Sequence, residues 1–291
     1  MKNYWYIGDI HGEIDLLENL LTAILKYQPH QLVFLGDYID RGPHAREVID
    51  RIMELEVPVA CLMGNHEQMM LNALEDAVFG NNPMELWYRN GGEATLQSFG
   101  FPGFFSFQSE MEERYLKFFR SLLMSHVNEP VNGRKILATH AGISPAVPLA
   151  DQLLLKDYLD LRQYMLDKQL EAGDSFLWTR ENFFESSSNL WKGYLVVHGH
   201  TPTLKLKSYV EAGDYPYYHF VGNDLAIRRE GAAGAVVSVG IDSGSTISGR
   251  LSGLGFFMDT QRGDASTVFM QSLTVTREDI IPRDLGPIGP Q

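Results

Sequence analysis

The chain has one cysteine in 291 residues. Cys61 lies inside the apolar run Val57 to Met63, so no intrachain disulfide can form, and a small buried hydrophobe is its simplest reading. No apolar stretch approaches the roughly 20 residues needed to span a bilayer. The first motif begins at residue 8, which leaves no room for a signal peptide. These absences fit a reducing cytoplasm and no membrane partner. Basic residues are also scarce: 24 Lys and Arg stand against 37 Asp and Glu, for a net charge of −13. That balance argues against nucleic acid as the main partner, because binding a long polyanion needs an excess of Lys and Arg. It leaves room for a phosphorylated substrate, whose charge a few local cations can meet. The sequence also lacks internal repeats and low-complexity linkers.

What is present is ordinary for a folded protein: 44% hydrophobic residues and frequent glycine. We read residues 1–280 as one domain, because the motifs described below run from residue 8 to residue 202 and must meet. Residues 281–291, rich in Pro and Gly, read as a flexible tail. Periodicity predicts strands at 3–8, 31–35 and 57–63, alternating with amphipathic helices at 13–27 and 44–55. That alternation implies a parallel sheet with right-handed crossovers. Further helices are expected at 66–77, 84–89, 111–123 and, as one long helix, 151–172, with Asp157, Asp160 and Asp167 on its solvated face. Strands are expected at 134–139 and 194–198. From 203 onward the pattern turns to short strands, at 233–241, 251–258 and 267–275, which suggests a second, mixed sheet packed on the first. Trp87, Tyr88, Phe99, Phe101, Phe104 and Phe105 read as core more readily than as a substrate groove.

Five short blocks carry the chemistry. They are Gly8-Asp9-Ile10-His11-Gly12, Gly36-Asp37-Tyr38-Ile39-Asp40-Arg41-Gly42, Gly64-Asn65-His66-Glu67, Thr139-His140-Ala141-Gly142 and His198-Gly199-His200-Thr201-Pro202. Each follows a predicted strand, and ligand sites in parallel sheets gather at the carboxyl ends of strands. Taken alone, an Asp after a strand is usually a cap, and a buried His is usually a satisfied core residue. Taken together, the carboxylate, amide and imidazole groups without a thiolate suit divalent metal ions. Asp9 and His11 can reach one ion, Asp37 can bridge two, and Asn65, His140 and one histidine of the last block can complete the second. Two such ions can hold phosphoryl oxygens and generate a hydroxide nucleophile.

The five blocks resemble the phosphoprotein phosphatase family of metallophosphoesterases, above all its bacterial and phage branch. The family pattern is Gly-Asp-x-His-Gly, Gly-Asp-x-x-Asp-Arg-Gly, Gly-Asn-His-Glu and two separated histidines, and the resemblance runs over about residues 4–245. It implies an α/β fold, the metallophosphoesterase αββα sandwich, with two mixed sheets flanked by helices and a dinuclear metal site at the strand ends. It implies that Asp9, His11 and Asp37 hold one ion and that Asp37, Asn65, His140 and His200 hold the other. Manganese is the preferred ion, with iron or zinc fitting the same ligands. His66 is the implied general acid, with Asp40 orienting and charging it. Glu67 reads as a support for the site or as an acidic residue of the next helix's first turn. Arg41 is implied to bind the phosphoryl oxygens, and so is Arg180, whose segment Trp178-Thr179-Arg180-Glu181 resembles Trp-x-Arg-Glu of the phage-type enzymes. His198 reads as core or as outer support, and His30, His44, His126 and His219 as ordinary surface or loop residues.

The resulting expectation is a metal-dependent phosphomonoester hydrolase, a bacterial-type serine/threonine protein phosphatase in which a metal-bridging hydroxide attacks phosphorus in line. The substrate would be a phosphoprotein or a small phosphate ester. Pro202 stands where other metallophosphoesterases carry a further histidine, which disfavours a phosphodiesterase. Symmetrical dinucleoside tetraphosphatases share the metal motifs and form the rival reading. A catalytically silent metal-binding scaffold that docks phosphoproteins is the third, and it predicts metal binding without turnover.

Overall fold

The computed structural model describes residues 2–75, 82–131, 134–232, 234–258 and 268–288, with backbone alone at 129–131. Helix 66–77 is therefore described only as far as residue 75.

The first half is built as its periodicity requires. Strand β1 (Lys2–Ile7) leads through helix α1 (Ile14–Ile24) to β2 (Gln31–Phe34), then through α2 (Ala45–Met53) to β3 (Val59–Cys61) and into α3 (Asn65–Leu74). Leu16, Leu17, Leu20, Leu21 and Ile24 bury one face of α1, and Ala45, Val48, Ile49 and Ile52 one face of α2. The three strands pair in parallel in the order β1-β2-β3. Four short helices follow: α4 (Pro83–Arg89), α5 (Gly92–Ser98), α6 (Phe104–Glu110) and α7 (Glu113–Arg120). Trp87, Phe99, Phe104 and Phe107 are buried there, whereas Phe105 is 78% exposed.

The second half starts with β4 (Ser125–Val131) and β5 (Arg134–Thr139), then α8 (Leu149–Gln152), α9 (Tyr158–Lys168), α10 (Glu181–Glu185) and β6 (Tyr194–His198). The long helix expected over 151–172 is thus broken. Asp157 caps α9, its carboxylate accepting from the N–H groups of Leu159 and Asp160, and Gln169 ends the helix with φ of 53°. Helix α11 (Thr203–Glu211) occupies a stretch expected to be strand. Thr203-Leu204-Lys205-Leu206-Lys207 alternates as a strand would, yet only Leu206 of its leucines is buried, and Leu204 faces outward.

The strands β7 (Tyr218–Val221), β8 (Leu225–Glu230) and β9 (Ala235–Gly240) complete a second sheet, and α12 (Ser245–Ser248) connects it to β10 (Leu251–Met258), β11 (Val268–Val275) and β12 (Ile280–Pro287). The sheet orders are β12-β11-β10-β1-β2-β3 and β4-β5-β6-β9-β8-β7. The late strands are therefore divided between the sheets. Strand β10 returns to pair antiparallel with β1, so β10, β11 and β12 extend the first sheet. The expected tail is likewise corrected: residues 280–287 pair with β11 from Val275↔Ile280 to Phe269↔Pro287, and Ile288 is buried. Pro282 and Pro287 are tolerated because an edge strand leaves one side of its backbone unpaired. Residues 289–291 lie outside the described residues. One core fills the space between the sheets (Tyr6, Val33, Leu62, Ile136, Val197, Phe256), and two more lie beneath the outer helices. This is the αββα layering.

Candidate active site

All five blocks lie at carboxyl ends of strands, the third forming the cap and first turn of α3, and backbone hydrogen bonds lock several of them to one another. The N–H groups of Ile10 and His11 donate to Asp37 O at 3.0 and 2.9 Å, Gly42 N to His11 O at 3.1 Å, and Gly199 N to His140 O at 2.8 Å. Seven described non-glycine residues have a left-handed backbone, and five are His11, Asp37, Asp40, Arg41 and His200. Such conformations cost free energy and persist where surroundings over-determine them, commonly at functional sites. Gly64 and Gly199 are among the glycines required by contact. A Cβ on Gly64 would stand 2.1 Å from Asp37 Oδ1, and one on Gly199 would stand 2.1 Å from Asp9 Oδ1.

Asp37 lies at the centre. Its Oδ2 is 3.5 Å from His11 Nε2 and 3.9 Å from His66 Nε2, while its Oδ1 is 3.5 Å from His140 Nε2. Among the described residues, two trios place ligand atoms within 4.8 Å of one another: His11, Asp37 and His66, and Asp37, His140 and His200. Asp37 belongs to both trios, the place a bridging ligand would take. Asp9 belongs to neither trio by that measure. Its Oδ2 accepts from His200 N at 2.9 Å, and its buried Oδ1 has no hydrogen-bond partner.

The tautomers follow from the carbonyl partners. His11 Nδ1 lies 2.8 Å from Ile39 O, and His140 Nδ1 lies 2.8 Å from Leu35 O. A carbonyl only accepts, so both Nδ1 atoms carry the proton and both Nε2 atoms present lone pairs. Asn65 Oδ1 then stands 3.0 Å from the His140 lone pair and 2.9 Å from His200 Nδ1. The acceptor-to-acceptor contact of Asn65 Oδ1 with His140 Nε2, with buried Asp9 Oδ1 and His200 Nε2 unpartnered among the described residues, is the arrangement a cation would resolve. The donor set, nitrogen and oxygen without sulfur, fits divalent ions of the manganese, iron and zinc kind. Burial, foremost, holds the imidazoles of His11, His140 and His200 below their usual pKa, which keeps them neutral and able to ligate.

His66 is built differently. Its Nδ1 donates to Asp40 Oδ2 at 2.7 Å, and its Nε2 meets Arg41 Nη2 at 2.8 Å. Asp40 is fully buried and also accepts from Trp87 Nε1 at 3.0 Å and from Thr95 Oγ1 at 2.6 Å. Burial pulls the His66 pKa down, but the Asp37 and Asp40 carboxylates outweigh it and hold the pKa above the usual histidine value. Trp87 and Thr95 are functional supports that the sequence reading missed. They lie 47 and 55 residues from Asp40, and nothing local to their own segment marks them.

Both readings of Glu67 hold at once. It caps α3 by accepting from Gly64 N at 2.9 Å, and the same carboxylate accepts from the N–H groups of Asp37, Tyr38 and Ile39 at 2.9, 2.9 and 3.3 Å. Burial and the Asp37 charge push its pKa up to about 8, and those N–H groups oppose the push. Arg180 reaches the site through Nη1, which donates to His200 O at 3.2 Å and Thr201 Oγ1 at 3.0 Å. Trp178 stands beside His200, and its indole N–H donates to Gln68 at 2.6 Å.

His198 points elsewhere. Strand β6 ends at His198, and the φ of 65° at His200 turns that residue toward Asn65, so the two do not share a face. The His198 ring packs against Phe183 and Phe184. Burial pushes the Cys61 thiol up to about 12, away from any nucleophilic role. Asp242 is buried just past β9, where its carboxylate accepts from Gly244 N at 2.8 Å.

The calcineurin-like phosphoesterase pattern matches residues 3–236. The chain belongs to that family. It is similar to serine/threonine-protein phosphatase 1 of Salmonella typhimurium, 35% identical over 94 residues that take in 32% of this chain and 40% of the relative. The chain thus spans under half the length of that relative. A longer likeness, 27% identical over 74% of this chain and 88% of the relative, is to serine/threonine-protein phosphatase 2 of the same organism. The bis(5'-nucleosyl)-tetraphosphatase PrpE of Bacillus cereus is 26% identical over 86% of this chain and 89% of its own. Among solved structures, a mutant cold-active protein tyrosine phosphatase superposes with a TM-score of 0.53 at 17% identity, covering 98% of this chain and 80% of the other, a likeness of fold. Among the described residues no helix is long and apolar enough to cross a membrane.

Proposed function

We propose that this phosphoesterase is a bacterial-type serine/threonine protein phosphatase acting on phosphomonoesters of protein or small-molecule alcohols. The observation that carries the reading is the Asp40–His66–Arg41 chain. An alkoxide is a poor leaving group and needs a proton at bond cleavage. His66 holds a proton on Nδ1 against Asp40, and neighbouring carboxylates favour a second on Nε2, the atom that faces Asp37 and Arg41. When Arg41 turns its guanidinium to a phosphoryl oxygen, Nε2 is released to protonate the departing oxygen. Arg41 and Arg180 flank the Asp37 centre and match phosphoryl oxygens in two-pronged fashion. Asp9, His11 and Asp37 would hold one divalent ion, and Asp37, Asn65, His140 and His200 the other, with manganese preferred. When bound, such ions acidify water and draw charge from the phosphoryl group. The lengthwise likeness to a Salmonella serine/threonine phosphatase supports the reading, and a single unreactive thiol is in keeping with a cytoplasmic setting.

His66→Asn tests it. Turnover of a phosphoserine peptide should fall roughly 100- to 10,000-fold, with metal content unchanged. Turnover of p-nitrophenyl phosphate, whose leaving group departs without a proton, should fall far less. Equal losses on both would remove His66 as the acid. The Bacillus tetraphosphatase, similar over most of the chain, favours a second reading, cleavage of a dinucleoside polyphosphate. A wild-type preference for diadenosine tetraphosphate over the peptide would establish that reading instead.

A further inference from the structure

We propose that Gly91 is a positioning residue that sets the aim of Arg41, acting on the backbone and the Cγ of that arginine. The inference rests on reading Arg41 as the ligand of the phosphoryl oxygens. The Arg41 guanidinium spans the site, with Nη1 2.6 Å from His11 Nε2 and Nη2 2.8 Å from His66 Nε2. Among the described residues those two imidazoles are its side-chain partners, and no carboxylate holds it. Elsewhere a carboxylate does the aiming: Asp224 accepts from Nε and Nη2 of Arg250 at 2.6 and 2.8 Å and from Nη1 of Arg283 at 2.7 Å. A carboxylate on Arg41 would occupy the N–H groups that a phosphoryl group needs. The aim of Arg41 is therefore fixed at its stem.

The corner between α4 and α5 supplies that fixing. Asn90 ends α4, and Gly91 precedes α5 with φ of 104°. Gly91 O accepts from Arg41 N at 3.2 Å. A Cβ on Gly91 would stand 2.8 Å from Arg41 N, 2.9 Å from its Cγ and 3.2 Å from its Cα. The glycine is thus seated against the root of the side chain. Asp40 and Arg41 both hold left-handed backbone there, with φ of 69° and 68°, a conformation that L-residues leave unless their surroundings impose it. The same corner imposes it at Asp40, where Thr95 Oγ1 accepts from Asp40 N at 2.9 Å and donates to Asp40 Oδ1 at 2.6 Å. Gly92 packs on Trp87, the other donor from this corner to Asp40; a Cβ there would meet the indole at 2.6 Å. One corner therefore sets both the carboxylate behind His66 and the stem of Arg41. A side chain at Gly91 must displace Arg41, and a small shift at Cγ grows along the stem before it reaches the guanidinium.

The test is Gly91→Ala in a double-mutant cycle with Arg41→Ala. The full-length protein is assayed with Mn2+ present for kcat/KM on p-nitrophenyl phosphate and for competitive inhibition by inorganic phosphate, and thermal unfolding is followed alongside. Gly100→Ala is the control, because Gly100 also has a positive φ, 78°, yet nothing lies within 4 Å of where its Cβ would stand. It carries the backbone strain without the contact. Gly91→Ala should lower kcat/KM roughly 10- to 100-fold and weaken inhibition by phosphate, while Gly100→Ala loses stability and keeps its activity. With Arg41→Ala already in place, Gly91→Ala should change kcat/KM by about twofold at most. The full loss on that background would overturn the proposal, since the glycine would then act without the arginine, and so would unchanged activity in Gly91→Ala alone. Gly91→Asn puts the same Cβ on a residue that accepts left-handed backbone more readily, and it carries the test if the alanine variant does not fold. Failure of both to fold while Gly100→Ala folds would mark Gly91 as structural and overturn the proposal too. Undiminished kcat/KM in Arg41→Ala would instead overturn the reading of Arg41 on which the proposal stands.

Discussion

Around Asp40 the polar atoms of Asp40, His66, Trp87 and Thr95 find their partners within the chain, whereas Asn65 Oδ1 faces the His140 lone pair, acceptor to acceptor. The two regions meet at Asp37, and their difference separates what the polypeptide finishes alone from what it leaves to a cation. An oriented acid must hold its geometry before substrate arrives, and Asp40 receives side-chain donors from His66, Trp87 and Thr95. A metal ligand must keep its lone pair unused. His140 frees its Nε2 by spending its proton on Leu35 O, and His11 likewise spends its proton on Ile39 O, its Nε2 lone pair facing Arg41 Nη1 at 2.6 Å.

The sharpest way to break that comparison is to damage each half separately. Asn65→Ala removes the oxygen that faces both His140 and His200. It should lower activity about 100-fold or more on every phosphate ester, whatever the leaving group, because it acts through ion binding. Excess Mn2+ should recover part of that loss. His66→Asn, by contrast, should be insensitive to added metal. If Asn65→Ala showed the leaving-group dependence expected of His66, the division into halves would collapse. Trp87→Phe probes the acid half more gently. It deletes one donor to Asp40 and keeps most of the buried ring volume. Loss of a hydrogen bond to a buried carboxylate costs about 1–3 kcal/mol, so the unfolding temperature should drop by several degrees. Turnover of a phosphoserine peptide should fall several-fold, with p-nitrophenyl phosphate much less affected. A change in KM alone would place Trp87 in substrate binding and not behind the acid.

The same contrast explains what could be read from the sequence. The metal-ligand loops are local: each is a glycine-flanked acid or amide after a short apolar strand, and the alternation of strands and helices through residue 75 dictates a parallel sheet with those loops at one edge. His11, Asp37, His140 and His200 fall in the two trios of potential ligands, and Asn65 and Asp9 are hydrogen-bonded or adjacent to His200 beside them. The acid's supports are not local. Trp87 looks like any core tryptophan, and its reach to Asp40 depends on how α4 packs. The return of β10 to pair with β1 joins segments some 250 residues apart, and no periodicity encodes which sheet a late strand enters. Strand β12 was obscured by its prolines, which an edge position accepts. Helix α11 was obscured by an alternation of Leu and Lys that mimics a strand.

His198 and His200 give the finest version of the comparison, two buried histidines two residues apart in opposite surroundings. His200 has Asn65, Asp9 and Arg180 about it, while His198 is enclosed by Phe183 and Phe184. Burial lowers the His198 pKa to about 4, against about 6.5 in an unfolded chain. The sign follows from linkage. Above pH 6.5 both states are neutral and His198 costs nothing. As the pH falls, the unfolded chain takes up a proton that the folded protein refuses, so stability declines until the folded pKa is reached. Between pH 7.5 and 5 this one residue should remove about 2 kcal/mol. His198→Phe should flatten that decline by the same amount in chemical denaturation, while changing turnover little, since His198 faces none of the reacting groups. If the slope is unchanged and activity falls instead, His198 belongs with His200, and the turn at Gly199 does not separate core from site.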